Sequence, residues 1–349
     1  MPPEMKVSLV SDRTTFALTD IFNGYRNALT KLKIPFEAFP YHLIRKLISD
    51  EECFHHVHSN CLIKSKGFTH VFFIGGLSVP DFFLESLYDK KSVVIATEDP
   101  HTFDPLKYKL DMIDYYFTNE RSIGNCERYK NAYYCPTAGC DQECGKFPLE
   151  ALEERFHSDI LFLGAMYPNR TKLLEAIIPM VEKYNLNFKL CGHVHYMPKT
   201  SPLWKYVAES STVRHEDTVK YYNGSKVVIN MMRDTTWKPP RPGSPSQKNR
   251  ANKSRFLAES LNPRAYEVPL CQSFMLMEDI REEAHDIYTK NEVGFFSDEK
   301  SLIQKLKYYL VGKGKEKREE MAFNAYKKAA LHHTYVKRLE YILSVINPA

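Results

Sequence analysis

The feature that most constrains this chain is an alternation of short apolar runs with helical patterns, which begins a second time near residue 158. In the first half, apolar runs start at Lys6 (KVSLVS), His70 (HVFFIGG), Ser92 (SVVIAT), Asp114 (DYYFTN) and Ala132 (AYYCP). Apolar side chains at helical spacing predict a helix over 20–33. Strands that alternate with helices are typical of a parallel α/β sheet.

The second half starts with DILFLGAMYPNR from Asp159, followed by a helical pattern. Further apolar runs begin at Asn187 (NFKLCG), Lys226 (KVVINMM) and Phe274 (FMLM), and the stretch 315–346 predicts one or two helices. A length of 349 residues suits two ordinary cores. The sequence therefore predicts two doubly wound α/β domains in series, with the boundary between 147 and 157.

Composition excludes several classes of protein. Hydrophobic residues make up 43% and charged residues 26%, which is typical of a folded, soluble chain. The net charge of +5 does not by itself indicate a nucleic-acid partner. No apolar run reaches the roughly 18 residues of a membrane span, and the start runs into a strand without a signal-peptide core, so we expect a cytoplasmic protein.

Two further segments carry open interpretations. Of the eight cysteines, Cys126, Cys135, Cys140 and Cys144 are clustered, but their spacing lacks paired CxxC motifs, which favours reduced thiols over a metal site. The Pro-, Ser- and Arg/Lys-rich stretch 233–255 predicts a mobile loop. It is either a plain surface loop, a lid that contacts an acceptor substrate, or an element that recruits a polyanion.

Ligands of open parallel sheets bind beyond the carboxyl ends of the strands, and two such places in the second half predict an anion site. After DILFLG, the loop from Gly164 leads into a helix whose first turn holds Arg170, a side chain suited to a diphosphate. In SLNPRAYEVPL, Asn262 is the predicted helix N-cap, with Arg264 in the first turn. Glu267 follows one turn later and suits a pair of ribose hydroxyls. The alternatives are a conformational glycine and an ordinary surface Arg–Glu pair.

Two more strand ends carry polar side chains. In LCGHVHY, Gly192 and His193 follow a strand, and the imidazole is either a donor to a phosphate or sugar hydroxyl, or merely solvated. In the first half, Glu98, Asp99 and His101 follow VVIAT and are candidates for the base that deprotonates an acceptor. The alternative for Asp99 is a plain turn with the following proline.

In their order, these motifs resemble a known family, the spore-maturation-protein (CgeB-like) glycosyltransferases of the GT-B superfamily. The resemblance is carried by SLNPRAYEVPLCQSFMLMED, then NEVGFFSDEKSLIQKLKYYL, then HHTYVKRLEYIL. The Gly24–Tyr25 pair, the TEDP segment at Thr97 and LFLGAMYPNR are similar too. The resemblance thus spans nearly the whole chain.

The resemblance implies the GT-B fold, in which two Rossmann-like domains face a central cleft. It implies an N-terminal acceptor domain (1–155), a C-terminal nucleotide-sugar domain (156–325) and a last helix (326–349) that packs back on the first domain. Glu267 would bind the ribose, Arg264 and Arg170 the phosphates, and residues 213–222, ending at Tyr222, would border the base. Asn230 would end the following strand. No cofactor and no obligatory metal are expected, because helix amides and basic side chains neutralise the leaving diphosphate.

Where the family has Ala-Cys-Gly, this chain has Leu270-Cys271-Gln272. The expected function is sugar transfer from a nucleotide-diphospho sugar to an acceptor that is a polysaccharide, a protein, a small molecule or a nucleic acid. Two alternatives stay open at this point: a nucleotide-sugar epimerase or hydrolase on the same fold, and a non-catalytic protein that binds a polyanion or nucleic acid.

Overall fold

The computed structural model describes residues 5–11, 18–44, 47–49, 51–53, 55, 56, 59, 67–75, 80–87, 89–234 and 252–347. Contacts divide the chain into two compact units. The first comprises Met1–Thr137, Thr235–Ser260 and Tyr335–Ala349, and the second comprises Ala138–Asp234 and Leu261–Thr334. Residues 138–157 therefore pack with the second unit, whereas the predicted boundary lies between 147 and 157.

The strands are β1 (Val7–Ser11), β2 (Phe36–Phe39), β3 (His70–Ile74), β4 (Lys91–Ile95), β5 (Tyr115–Thr118), β6 (Ala132–Tyr134), β7 (Ser158–Leu163), β8 (Phe188–Cys191), β9 (Val207–Glu209), β10 (Ser225–Asn230), β11 (Met275–Glu278) and β12 (Gly294–Phe296). The helices are α1 (Leu18–Lys31), α2 (Tyr41–Ile44), α3 (Asp81–Glu85), α4 (Phe103–Leu106), α5 (Arg121–Gly124), α6 (Pro168–Lys183), α7 (His215–Asn223), α8 (Arg264–Leu270), α9 (Glu283–Ile287), α10 (Glu299–Leu310), α11 (Lys317–His332) and α12 (Tyr335–Ile346).

The first unit is built on a parallel sheet with the strand order β2-β1-β3-β4-β5-β6. The central strands β1 and β3 are buried along their whole length, as expected for a parallel sheet that is covered on both faces. Val10 pairs with Phe73, and Phe73 in turn with Val94. All six strands run the same way, so their carboxyl ends form one edge of the sheet.

Helix α12 belongs to the first unit and packs against α1. A Cβ atom at Gly24 would lie 2.1 Å from Cδ2 of Tyr335, so the close approach of the two helices requires glycine there. The ring centroids of Tyr25 and Tyr335 are 5.1 Å apart. Arg338 donates from Nε to the carbonyl oxygens of Pro136 (2.9 Å) and Thr137 (3.2 Å). The expected packing of the last helix with the first domain is therefore present.

The second unit is built on another parallel sheet, with the strand order β12-β11-β10-β7-β8-β9. Apolar clusters cover both of its faces. One contains Phe162, Leu174 and Ile177, and the other contains Leu161, Tyr222 and Tyr266. Neighbouring residues of β7 thus point to opposite faces, which fixes the register of this central strand.

The predicted fold class is confirmed by these two six-stranded parallel sheets with their helices. The predicted helix 20–33 lies at Leu18–Lys31, two residues earlier. Strands β2, β9 and β12 were not predicted. Each is an edge strand of three or four residues, so none has the long apolar run by which a buried strand is predicted. Most of the predicted loop 233–255 lies outside the described residues.

Candidate functional site

Two glycines, Gly164 and Gly192, directly follow β7 and β8 at the carboxyl-terminal edge of the second sheet. Gly164 follows β7 and donates its amide to the carbonyl oxygen of Cys191 at 2.8 Å. Gly192 follows β8 with a φ of +122°, and a Cβ atom there would lie 2.5 Å from the carbonyl oxygen of Gly164. The two peptides therefore pack directly on each other, which only glycine at position 192 permits.

Arg170 lies in the first turn of α6 and is 6% exposed. Its guanidinium donates to three backbone carbonyl oxygens: Nε to Met232 (3.2 Å), Nη1 to Ala165 (3.0 Å) and Nη2 to Met231 (2.9 Å). Burial, followed by the charge of Arg264, lowers its pKa to about 9, so the side chain is still charged at pH 7. Arg170 thus joins the loop after β7 to the loop after β10, with three of its five N–H groups used for that purpose.

Arg264, in the first turn of α8, is less committed to the backbone. Its Nη1 donates to Oδ1 of Asn230 at 3.1 Å, and its Nε is buried without a partner among the described residues. Asn230 ends β10 with no exposed surface, and its Nδ2 likewise has no partner within the described part of the chain. Buried polar groups are nearly always hydrogen-bonded. Nε of Arg264 and Nδ2 of Asn230 therefore mark this place as one that favours a hydrogen-bond acceptor.

Asn262 orients this group from the start of α8. Its Nδ2 donates to Oδ1 of Asn230 (2.9 Å), and its own Oδ1 accepts from the amide of Ala265 (3.3 Å). The second bond is the one expected of a helix N-cap. Pro263, which follows, already has helical dihedral angles (φ −54°, ψ −35°).

The two arginines converge on Gly164. A Cβ atom there would lie 2.5 Å from Nη2 of Arg264 and 3.5 Å from Nη1 of Arg170. Both guanidinium carbons lie near the ring of Phe162, at 5.5 and 5.7 Å from its centroid. Two like charges held this close repel each other, and a bound anion relieves that repulsion. A side chain at position 164 would occupy the space between them.

A third arginine, Arg233, adds to the positive charge. Its guanidinium carbon lies 5.0 Å from the ring centroid of Tyr167, and that of Arg170 lies 5.1 Å from the same centroid. The carbonyl oxygen of Arg233 accepts from Nη2 of Arg281 at 2.8 Å. The buried carboxylate of Glu278 accepts from the amide of Met232 at 2.8 Å, so it supports the same loop. We call Arg170, Arg233 and Arg264 the arginine cluster.

Glu267 lies one turn after Arg264 on α8, and it contacts Tyr222 of α7. The hydroxyl of Tyr222 donates to Oε2 of Glu267 at 3.4 Å. The tyrosine is buried, whereas the carboxylate is half-buried. His193 is half-buried as well, with Nε2 2.9 Å from the hydroxyl oxygen of Thr212, and its carbonyl oxygen accepts from the amide of Met166. Its imidazole therefore has a side-chain partner within the second unit.

At the carboxyl-terminal edge of the first sheet, Asp99 is the centre of a buried hydrogen-bond network. Its Oδ2 accepts from the hydroxyls of Tyr116 and Thr118, both at 2.7 Å, and its Oδ1 accepts from Thr102 at 3.2 Å. Burial raises the pKa of this carboxyl to about 6. His101 is buried, Glu98 is half-buried, and the amide of His101 donates to the carbonyl oxygen of Glu98.

A histidine that sequence reasoning missed lies at the same edge. Nδ1 of His42 is 2.8 Å from Oγ of Ser11, the last residue of β1, while Nε2 is buried without a partner among the described residues. The same Oγ accepts from the amide of His42 and donates to the carbonyl oxygen of Phe39. This pattern places the imidazole proton on Nδ1 and a lone pair on Nε2. Burial lowers the pKa of His42 to about 4, so the ring is neutral at pH 7.

Comparison with known proteins gives this arrangement a family. A sequence profile of the family described as glycosyl transferase-like matches residues 170–344, which include Arg170, Arg264 and Glu267. The chain belongs to the glycosyl transferase-like family. Spore protein CgeB of Bacillus subtilis (strain 168) is 26% identical to it over 246 residues, which cover 65% of this chain and 73% of that protein.

Solved structures show the same fold at low sequence identity. A glycosyltransferase from Rickettsia africae ESF-5 superposes with a TM-score of 0.61 at 12% identity, over all of both chains. A sucrose-phosphate synthase from Thermosynechococcus elongatus gives 0.63 at 10% identity, over 98% of this chain and 99% of its own. Anabaena HepE in complex with UDP and glucose gives 0.60 at 11% identity, with the same coverage. The fold of this glycosyl transferase-like protein is therefore GT-B.

The structure brings most of the predicted second-domain residues to one place. Gly164, Gly192, Arg170, Arg264, Asn230 and Asn262 form one contiguous group. Tyr222 and Glu267 pair beside it, on α7 and α8. Arg233 was missed because it begins a stretch with no hydrophobic period, and His42 because its α2 helix has only four residues. Their only sequence signal is position, since each follows a strand by a few residues.

Two negative findings concern the described residues only. No group of three or more His, Cys, Asp or Glu side chains there is placed to hold a metal ion, and the seven cysteines described are free thiols. Among the helices within the same ranges, none combines the length and the apolar character that a bilayer crossing needs.

Proposed function

We propose that this protein transfers a sugar from a UDP-sugar to an acceptor hydroxyl or amine, and that the second unit binds the donor. The observation that carries this proposal is the convergence of Arg170 and Arg264 on Gly164. Two guanidinium groups around a residue without a side chain make a cradle for a diphosphate. The complex of HepE with UDP and glucose, on the same fold, supports UDP as the nucleotide.

The residues of the cradle take different parts in binding. Arg264 has a single side-chain hydrogen bond among the described residues, to Asn230, and contacts the diphosphate with its remaining N–H groups, while the buried Asn230 orients its guanidinium. Arg170 contributes charge and holds the two loops in place. Glu267, whose Oε2 also accepts from Tyr222, accepts the ribose hydroxyls. The arginine cluster stabilises the charge that develops on the leaving UDP, which supports transfer without an obligatory metal.

Transfer breaks the bond between the sugar C1 and the diphosphate oxygen and forms a bond from C1 to the acceptor oxygen, whose proton passes to a base. The first unit offers Glu98, Asp99 and His101, and His42 in addition. Of these, His42 has a neutral ring and a buried Nε2 with no partner among the described residues, whereas Asp99 already accepts three hydroxyl bonds. We infer that His42 is a further candidate for the base, beside Asp99, whose pKa of about 6 lies closer to neutral pH than the pKa of about 4 of His42.

Isothermal titration with UDP tests the donor site. The wild type is expected to bind, and Glu267→Gln is expected to lose about tenfold or more in affinity, because a neutral amide accepts ribose hydroxyls less well than a carboxylate. The matched control is Glu175→Gln. Glu175 lies on α6, and its carboxylate accepts a hydrogen bond from Ser201. Equal UDP affinity in the wild type and Glu267→Gln would remove Glu267 from the donor site.

Incubation with labelled UDP-glucose in the absence of an acceptor separates transfer from the reactions of an epimerase or a hydrolase. A transferase is expected to leave nearly all of the donor intact and to consume it when an acceptor is added. Epimerised sugar, or complete hydrolysis without acceptor, would instead establish the alternative reaction on this fold. His42→Gln then tests the base, with a predicted fall in kcat of about 100-fold or more and little change in UDP affinity.

A further inference from the structure

The first unit holds a pocket of about 410 Å³ that none of the residues assigned above lines. Its walls come from three places in the chain: the turn after α4, the loop after α5 and the segment 252–260. The side chains that define it are Lys107, Tyr108, Arg128, Tyr129, Ser254 and Phe256. A volume of this size is within the range of roughly 300–1,000 Å³ that small-molecule sites occupy.

The base of the pocket is a packed aromatic cluster. Phe103, buried in α4, meets Tyr129 edge-on at 5.0 Å between ring centroids and Phe256 at 5.4 Å. These edge-to-face contacts are the favoured geometry for aromatic pairs. The apolar wall is therefore part of the folded unit and does not depend on a ligand for its shape.

A carboxylate, that of Asp104, holds the turn after α4 to the segment 252–260. Oδ1 of Asp104 accepts from Nζ of Lys107 (3.1 Å) and from Oγ of Ser254 (2.5 Å), and its Oδ2 accepts from the amide of Lys253. Lys107 also donates to Oγ of Ser254 at 2.9 Å. Hydrogen bonds and the neighbouring ammonium keep the pKa of Asp104 below its usual range despite its burial, so its charge offsets that of Lys107.

The remaining charge of the pocket is positive. Arg128 is exposed and has no ion pair with any residue that the structure describes; its guanidinium carbon lies 5.7 Å from the ring centroid of Tyr129. Tyr108 is 78% exposed, with Nζ of Lys107 5.0 Å from its ring centroid. The pocket thus combines uncovered aromatic surface with a cation whose planar N–H groups suit phosphate or carboxylate.

We propose that this pocket binds a saccharide that carries a phosphate or a carboxylate, as the anionic part of the acceptor. The aromatic side chains take the apolar face of the sugar ring, and Arg128 takes the anionic group. The saccharide and its part as acceptor rest on the proposed transferase function, whereas the preference for an anion rests on the pocket alone.

The test is isothermal titration of the full chain with glucose 6-phosphate, glucuronate and glucose. Both anionic sugars are expected to bind at least about tenfold more tightly than glucose, and their affinity is expected to fall as salt is added. Arg128→Gln is expected to remove this preference, and Tyr108→Ala to weaken all three sugars. Arg26→Gln, at an exposed arginine on α1, is the matched control and is expected to match the wild type.

Equal binding of glucose and glucose 6-phosphate, or anion binding that Arg128→Gln leaves unchanged, would overturn the proposal. So would inorganic phosphate that binds as tightly as glucose 6-phosphate, because the sugar would then contribute nothing. UDP is titrated in the same preparation. If UDP binds and the anionic sugars do not, this inference fails alone; if the sugars bind and UDP does not, the donor site fails and the pocket stands.

Discussion

Each unit is built on a six-stranded parallel sheet, but the two units differ sharply in the side chains at the carboxyl ends of their strands. The second unit places the arginine cluster there, around a glycine. The first unit places Asp99 and His42 at the corresponding edge, with Glu98 and His101 next to Asp99. One edge is suited to bind an anion and the other to accept a proton. A parallel sheet supplies the position, and the residues after each strand decide the chemistry.

The largest effect is expected for Arg170→Ala, which tests whether the cationic edge is also a structural element. The substitution removes the three hydrogen bonds that Arg170 donates to the carbonyl oxygens of Ala165, Met231 and Met232, so the free energy of unfolding should fall by about 3 kcal/mol or more. Urea denaturation measures it. Arg264→Ala, which removes a single bond to Asn230, is the control and should cost far less. Equal stability of Arg170→Ala and the wild type would mean that the three bonds do not hold the loops.

The pH dependence of stability tests the proton-accepting edge. The pKa of Asp99 is raised from 3.8 to about 6, so its contribution is present below pH 4 and is lost as the pH rises to about 6. The pKa of His42 is lowered from 6.5 to about 4, so its contribution is present above pH 6.5 and is lost as the pH falls towards 4. Each effect amounts to about 3 kcal/mol, and in the wild type the two largely cancel.

Variants separate the two contributions. Between pH 4 and 6, the stability of Asp99→Asn should rise with pH relative to the wild type, and that of His42→Gln should fall. The charge of Glu98 raises the pKa of Asp99, and the charge of Asp20 raises that of His42. Glu98 and Asp20 are therefore left unchanged in both variants. The measurement is urea denaturation at half-unit pH intervals. Parallel curves for the wild type and both variants would contradict the assigned shifts.

A smaller effect is expected on ligand affinity when Arg264 is replaced by Gln. Loss of a charged hydrogen bond to the diphosphate should weaken UDP binding about 10- to 100-fold, measured by isothermal titration. Lys172→Gln, at an exposed cation on α6 that pairs with Glu299, controls for the loss of one positive charge from the unit. If both variants weaken UDP equally, the second unit attracts the nucleotide by its overall charge and not through a defined cradle.

The smallest effect concerns the turn behind α8. Gln272 has a φ of +52°, a backbone conformation that glycine adopts more easily than other residues. It occupies the position where the resembling family has glycine, so the chain keeps the turn without that residue. Gln272→Gly should raise the free energy of unfolding by up to about 1 kcal/mol and leave UDP affinity unchanged. A loss of stability on this change would show that contacts of the Gln272 side chain outweigh its strain.

The sequence was sufficient to predict the buried strands and most of the cationic edge. β1, β3 and β7 each contain a short apolar run, and Arg264 follows a recognisable cap at Asn262. Edge strands such as β9 are too short and too exposed to show a pattern. The part of Arg170 in joining two loops was beyond prediction, because its carbonyl partners at 231 and 232 lie more than 60 residues away in the chain. Nor does sequence spacing reveal that Nδ1 of His42 lies 2.8 Å from Oγ of Ser11.

The contact between Gly24 and Tyr335 bears on how the protein is made. The first unit contains β1 and α1, which a ribosome delivers early, and α12, which it delivers only after the whole second unit. Until then the face of α1 around Gly24 stays uncovered, and Pro136 and Thr137 lack the guanidinium of Arg338. In chain order, the last segment of the second unit therefore precedes the segment that completes the first. A truncation before residue 335 would remove α12, and with it the side chain that covers Gly24 of α1.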